Sequence, residues 1–270
     1  MFRKLFASLL LAAVLAPMAH AQTVDEILAK HFEAMGGLDK LKAMQSIRLM
    51  GKMQVGPGME APIQMDKKRP SMSRTEFTFS GMTGIQAYDG KTAWALMPFM
   101  GQKAPEAMSE EESKGQAAQA DFDGPLMGYK DKGITVELAG KESVEGADAY
   151  KLKVTRKDGH VEYHYIDAET YLVVKRESKE MVRGTEMETE SVFGNFKEVN
   201  GLMFPFSLTM GAKGSDHRQT LTLDSIAVNV QMDDSRFVMP ASADSSKGGA
   251  AMAGKPGTPA TKPAAAPKKK

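Results

Sequence analysis

The sequence predicts a mainly β fold of the α+β kind, one large curved antiparallel sheet opened by an amphipathic helix and interrupted once by a short helical insert. Three observations predict it. Apolar and polar residues alternate from residue 46 onward in about a dozen short runs, the period of half-buried strands. Asp89-Gly90, Asp158-Gly159 and Asn200-Gly201 punctuate the series and suit the positive φ of tight hairpin turns. Most connections are too short for parallel βαβ crossovers.

The elements follow in chain order. Met1 to Lys4 supply a basic start, Leu5 to Ala16 an apolar stretch and Ala19-His20-Ala21 a small-x-small site. That pattern predicts an export signal over 1–21 with cleavage before Gln22, the stretch being short of the ~20 residues a spanning helix needs. Val24, Ile27, Leu28, His31, Phe32 and Met35 then form a helical stripe that Gly36-Gly37 stops, with His31 expected at its polar edge. Leu38, Leu41 and Met44 continue it as a second short turn.

Strand-like runs occupy 46–55, 61–69, 71–79, 83–88, 91–97, 134–142, 149–156, 160–166, 171–178, 185–196, 202–210 and 217–230. A sheet of that many strands must curl or close, because strands twist and flat sheets expose their edges. One long interruption lies between Met97 and Ile134, with Ser109 and Glu112 spaced as a capping box. It predicts one or two short helices, and long insertions of this kind serve as lids, binding loops or plain excursions. Beyond Pro240 the chain reduces to Ala, Gly, Ser, Pro and Lys, with six Lys against one Asp, a composition that cannot bury a core and reads as a solubilising tail.

Charge and composition narrow the function. Of the chain's 270 residues, 22–240 carry 27 basic and 33 acidic side chains, a net −6, which argues against nucleic acid because phosphate recognition needs a basic footprint. Cysteine is absent, so disulfides, thiol catalysis, thiolate metal sites and a lipid-modified N-terminal Cys are all excluded. No nucleophile elbow, phosphate loop or H-E-x-x-H helix occurs, and Asp233-Asp234 reads as a cap or turn before Phe237. Methionine is abundant, 21 residues against 19 aromatic ones. Met53, Met65, Met187 and Met210 fall where inward residues would line a barrel, either as a pliable apolar wall or as ordinary core filling.

His160, Glu162 and His164 are the most site-like cluster, one face of a strand with a spacing that could share a metal or pair a base with its orienter. The alternation puts Val161, Tyr163 and Tyr165 on the buried side, leaving the polar trio on the outside of a hairpin. A metal-dependent hydrolase using that trio is the minor reading, and no cofactor or metal is expected.

Three segments together resemble a known family: Ala29 to Leu41 around Gly36-Gly37, Gly84 to Trp94 around Asp89-Gly90, and Lys197 to Phe206 around Asn200-Gly201. They look like the outer membrane lipoprotein-sorting proteins, with the LolA/LolB-like carrier fold, over 22–240. The resemblance implies a half-open barrel of about eleven strands whose concave face shelters acyl chains under a helical lid. It implies a non-enzymatic periplasmic carrier, a monomer with lipid or lipoprotein acyl chains as partners, an outer-membrane acceptor and transient membrane contact. A lipid-binding envelope sensor is the alternative, although such sensors carry a second domain and 241–270 is short for one. Leu49, Met53, Phe77, Phe79, Trp94, Leu96, Phe204, Phe206 and Leu208 are the candidate cavity wall, and Phe99, Met100, Leu126 and Met127 the candidate lid.

Overall fold

The computed structural model describes residues 22–56, 58–182 and 185–241. The expected export signal and tail lie outside the described residues. Thr23 opens helix α1 (Val24–Ala34) with a reciprocal capping box to Glu26, satisfying two of the donors that every helix start leaves free. Ile27, Leu28 and His31 are its buried stripe. Gly36 at φ 107° and Gly37 at φ 98° turn the chain into α2 (Leu38–Ala43).

Thirteen strands form a single antiparallel sheet: β1 (Ser46–Gly56), β2 (Met59–Lys68), β3 (Met72–Phe79), β4 (Met82–Tyr88), β5 (Ala93–Leu96), β6 (Glu106–Ala107), β7 (Thr135–Val144), β8 (Ala147–Thr155), β9 (Val161–Asp167), β10 (Val173–Val182), β11 (Thr185–Val199), β12 (Leu202–Ala212) and β13 (Arg218–Val228). Twelve match the predicted runs, and the thirteenth, β6, is a two-residue strand inside the insert. The hairpin signals hold: Asn200 and Gly201 both take positive φ, as do Gly90 and Gly159.

The strand order is β6-β5-β4-β3-β2-β1-β13-β12-β11-β10-β9-β8-β7. The chain therefore walks outward from β1 to one edge, crosses, and walks back from the opposite edge until β13 pairs with β1, Ile47 facing Val228. A 3-10 turn at Pro98–Met100 connects β5 to β6, and the crossing from β6 to β7 contains helix α3 (Glu110–Ala120) and a run of turns to residue 133. The predicted Ser109/Glu112 capping box opens α3.

Apolar side chains gather on the concave face in two clusters. One joins Leu41, Ile47, Ile63, Phe204, Phe206, Leu221, Leu223 and Ile226 under β1, β2, β12 and β13. The other joins Ile27, Leu28, Val136, Leu152, Val154 and Ile166 under α1 and β7–β9. The crossing segment bridges them, Met127 belonging to the first cluster and Leu126 to the second.

The convex face is covered at one end by the C-terminal segment. A row of paired residues, Arg48, Asp66, Arg74, Ala87 and Trp94, runs across β1 to β5. Asp66, fully buried, accepts from Arg48 at 2.7 Å, Arg236 at 2.6 Å and Gln64 at 3.0 Å. Asp233 caps the final 3-10 turn as expected, and Trp94 Nε1 donates to the Phe237 carbonyl at 2.8 Å.

Gly36 is a position where this packing leaves no room for a side chain. A Cβ there would overlap the Gly201 carbonyl oxygen, while Met203 N–H donates to the Met35 carbonyl beside it. Gly36→Ala is expected to destabilise the protein by more than about 1 kcal/mol, read as a lowered midpoint in urea unfolding, whereas Gly115→Ala, in the exposed middle of α3 with open space around it, should not lower it.

Candidate functional site: a roofed cavity on the concave face

A cavity of about 390 Å³ lies where the two apolar clusters meet. Its walls come from His31 and Phe32 of α1 and Met35 that caps it, Leu41 of α2 and Met44 behind it, Ile47 and Leu49 of β1, Val173 of β10, Phe193 of β11 and Phe204 of β12. Phe122, Pro125, Leu126 and Met127 of the crossing segment form the roof. Most of the lining is apolar, and the volume falls within the ~300–1,000 Å³ typical of ligand sites.

The roof is fastened by Arg69, just past β2. Its guanidinium grips both oxygens of Asp123 at 2.7 and 2.5 Å, donates to the carbonyls of Met44 and Leu41, and sits 4.7 Å over the Phe122 ring. One side chain thus ties the end of α2 to the crossing segment. The Arg69 guanidinium holds the Asp123 carboxyl below its ordinary range. Lys132 adds a second tie, donating to Asp121 and to the Gly124 carbonyl.

Besides Asp123, four groups interrupt the apolar lining. His31 Nδ1 donates to the Tyr171 carbonyl at 2.8 Å, and burial lowers its pKa, so the ring is favoured in its neutral form. Lys67 of β2, Arg176 of β10 and His164 of β9 also line the cavity. Neither ring nitrogen of His164 has a hydrogen-bond partner among the described residues. Its Nε2 lies 3.2 Å from Glu162 Oε2, an ion-pair distance without hydrogen-bond alignment. Burial acts to raise the Glu162 carboxyl, but His164, Arg156 and Arg176 outweigh it and hold the group at about 2. Arg156 makes the shortest of these contacts, 2.9 Å.

This placement reverses the sequence expectation for β9. His164 pairs with Leu152 and Glu162 with Val154, both members of the concave cluster, so the polar pair faces inward. Tyr165 is buried on the other face, where Lys175 lies 5.0 Å over its ring. A strand covered on both sides defeats the rule that the polar face is the wet one. His160 precedes the strand and is half-exposed, so the trio is not assembled. No group of three or more His, Cys, Asp or Glu placed to hold a metal ion occurs among the described residues.

Of the candidate wall residues, Leu49 and Phe204 line the cavity. Phe206 is buried in the adjoining cluster, and Met53, Phe77 and Leu208 pack against it. Phe79 lies further along β3, 39% exposed. Trp94 and Leu96 are corrections: they pair with Ala87 and Ile85, whose partners Arg74 and Glu76 belong to the convex face. Trp94 is buried because the C-terminal segment covers it, a coverage that strand parity cannot foresee.

Of the candidate lid residues, Leu126 and Met127 roof the cavity. Phe99 instead packs on Phe77 and Phe79, ring centroids 5.4 and 6.2 Å apart. Met100 projects outward, 74% exposed. The methionines lining the cavity are Met35, Met44 and Met127; Met53 and Met65 only back the neighbouring cluster. Arg69 and Arg176 carried no local sequence signal, since their surroundings are assembled from distant strands.

A half-open antiparallel sheet with helices on its concave face defines the LolA-like fold class. A family model described as "Uncharacterized protein" matches residues 82–240, from β4 through the C-terminal segment, and the chain belongs to that family. Its fold is similar to that of a LolA superfamily protein from Nitrosomonas europaea, at 20% identity and TM-score 0.54 over 81% of this chain and 98% of that one. A DUF1329 family protein from Desulfovibrio piger aligns at 13% identity and TM-score 0.57 over 81% and 98%. An outer membrane lipoprotein-sorting protein domain from Vibrio parahaemolyticus aligns at 13% and 0.51 over 78% and 97%. No curated protein sequence matches the chain. No helix among the described residues is long and apolar enough to cross a membrane.

Two outcomes are expected from these contacts. Arg69→Ala should cost about 2–3 kcal/mol, the range for losing charged hydrogen bonds, and raise hydrogen exchange over 121–134 more than in β8 and β9. Glu162, depressed from 4.5 to about 2, contributes stability that is complete above pH 4.5 and is lost as the pH falls toward 2. Glu162→Gln should remove about 3 kcal/mol at pH 7 and flatten that limb of the stability–pH curve, measured by urea unfolding at a series of pH values.

Proposed function

We propose that the protein is a non-enzymatic lipid carrier of the bacterial envelope, exported through residues 1–21 and acting in the periplasm, with 22–240 as its lipid-binding domain. The observation that carries this reading is the apolar cavity roofed by a segment tied down at Arg69. Sequestering hydrocarbon is favourable by about 0.8 kcal/mol per CH₂, and a pocket walled by Leu49, Phe204 and Val173 under Leu126 and Met127 offers that burial. Such binding is strong, so release needs a roof that moves or an acceptor that competes. The similarity to a lipoprotein-sorting domain supports the same reading.

Mass spectrometry of an organic extract of the purified protein tests it. Acyl-containing species near one per protein, absent from a control protein handled alike, are expected. Val173→Trp, which fills the cavity from a half-buried position, should fold with a loss of about 1–3 kcal/mol and carry several-fold less lipid. A clean extract together with no uptake of added lipid would refute the carrier reading.

A further inference from the structure

The cavity lining includes charged groups, Lys67 and Arg176, that an acyl shelter alone does not require. We propose that its ligand is a free fatty acid, the carboxylate lying against Arg176 and Lys67 and the chain extending along the apolar wall. This deepens the lipid-carrier reading and rests on it.

Arg176 is the central observation. Arg48, Arg74, Arg156, Arg218 and Arg236 each hold a carboxylate, as Arg69 does. The Arg176 side chain, half-buried in the cavity wall, makes no hydrogen bond or ion pair among the described residues. A guanidinium presents its donors as a rigid fork matched to a carboxylate. Leaving that fork unpaired beside apolar surface forgoes an interaction the other arginines make.

The nearby carboxylates already have closer partners, Arg176 acting on Glu162 only through its charge. Asp123 is taken by Arg69, Asp121 by Lys132, and Glu162 by Arg156 and His164. Lys67 Nζ donates to a backbone carbonyl, that of Gln119, at 2.5 Å; burial, with the charge of Arg176, lowers its pKa, and an anion beside both would favour its charged form. His164 is the direct cross-strand neighbour of Arg176, its Nε2 3.2 Å from Glu162 and its ring nitrogens without a hydrogen bond among the described residues. A body of net charge −6 thus keeps two basic groups in its cavity, and an anion is the complementary occupant. The volume of about 390 Å³ lies near the lower end of the ligand-site range, which suits one chain with a small planar head and not the several chains of a lipoprotein or phospholipid.

Binding of palmitate, 1-hexadecanol and palmitoyl lysophosphatidate to protein purified from cells expressing the full chain and stripped of lipid separates the outcomes. Palmitate is expected to bind at least about tenfold more tightly than hexadecanol. Arg176→Gln should weaken palmitate roughly 10- to 100-fold, the worth of a charged hydrogen bond, and leave hexadecanol unchanged. Lys67→Gln should act in the same direction, and serves alone if Arg176→Gln does not fold by circular dichroism. Equal affinity for palmitate and hexadecanol, or variants that weaken both alike, would overturn the head-group assignment while leaving the lipid cavity intact. Preference for lysophosphatidate would replace the fatty acid by a phosphate lipid. Binding of none would overturn both readings.

Discussion

The architecture depends on one topological constraint: a sheet built outward from β1 to one edge can be completed only if the chain travels to the opposite edge. The stretch between Ala107 and Thr135 makes that journey, and the concave face is where it runs. There it meets apolar surface from both halves of the sheet, so burying that surface and connecting the halves are accomplished by the same residues. The roof is thus the connection itself, held down by Arg69 through Asp123 and Phe122. This accounts for the length of the insert better than any need of a hairpin.

A cavity follows from the breadth of the sheet. Two clusters form because α1 serves β7–β9 while α2 and the ends of β1, β2, β12 and β13 pack on one another. The crossing segment supplies only a few bulky groups where they meet, and Phe32 is the side chain from below that touches both. Interiors normally close to crystal-like density. Here the wall includes the Arg176 side chain, which resists collapse because closing around it would strip water from a guanidinium that has no hydrogen bond among the described residues.

The strands were legible because each obeys a period of two and is bounded by turn residues, so Asn200-Gly201 and Asp158-Gly159 marked their hairpins directly. β6 was not, since a two-residue strand has no period. The candidate site was half legible. Leu49, Phe204, Leu126 and Met127 were found because apolar alternation and the insert pointed to them. Trp94 and Leu96 were assigned to the wrong face, and Glu162 and His164 to the outside, for a common reason: parity separates two faces but cannot tell which is concave when both are covered. Arg69 and Arg176 were invisible because an arginine's role is set by what surrounds it, and their neighbours come from α2, β9 and the crossing segment.

The seam between β1 and β13 bears on how the molecule comes into being. Hairpins within either half can form as soon as their two strands exist, but the pairing of Ile47 with Val228 closes nearly the whole described chain in one step, and loops of that length are entropically slow to close. Leu49 and Phe204, both lining the cavity, belong to halves joined by that seam. The cavity is therefore a late product of folding, complete only once β13 has found β1.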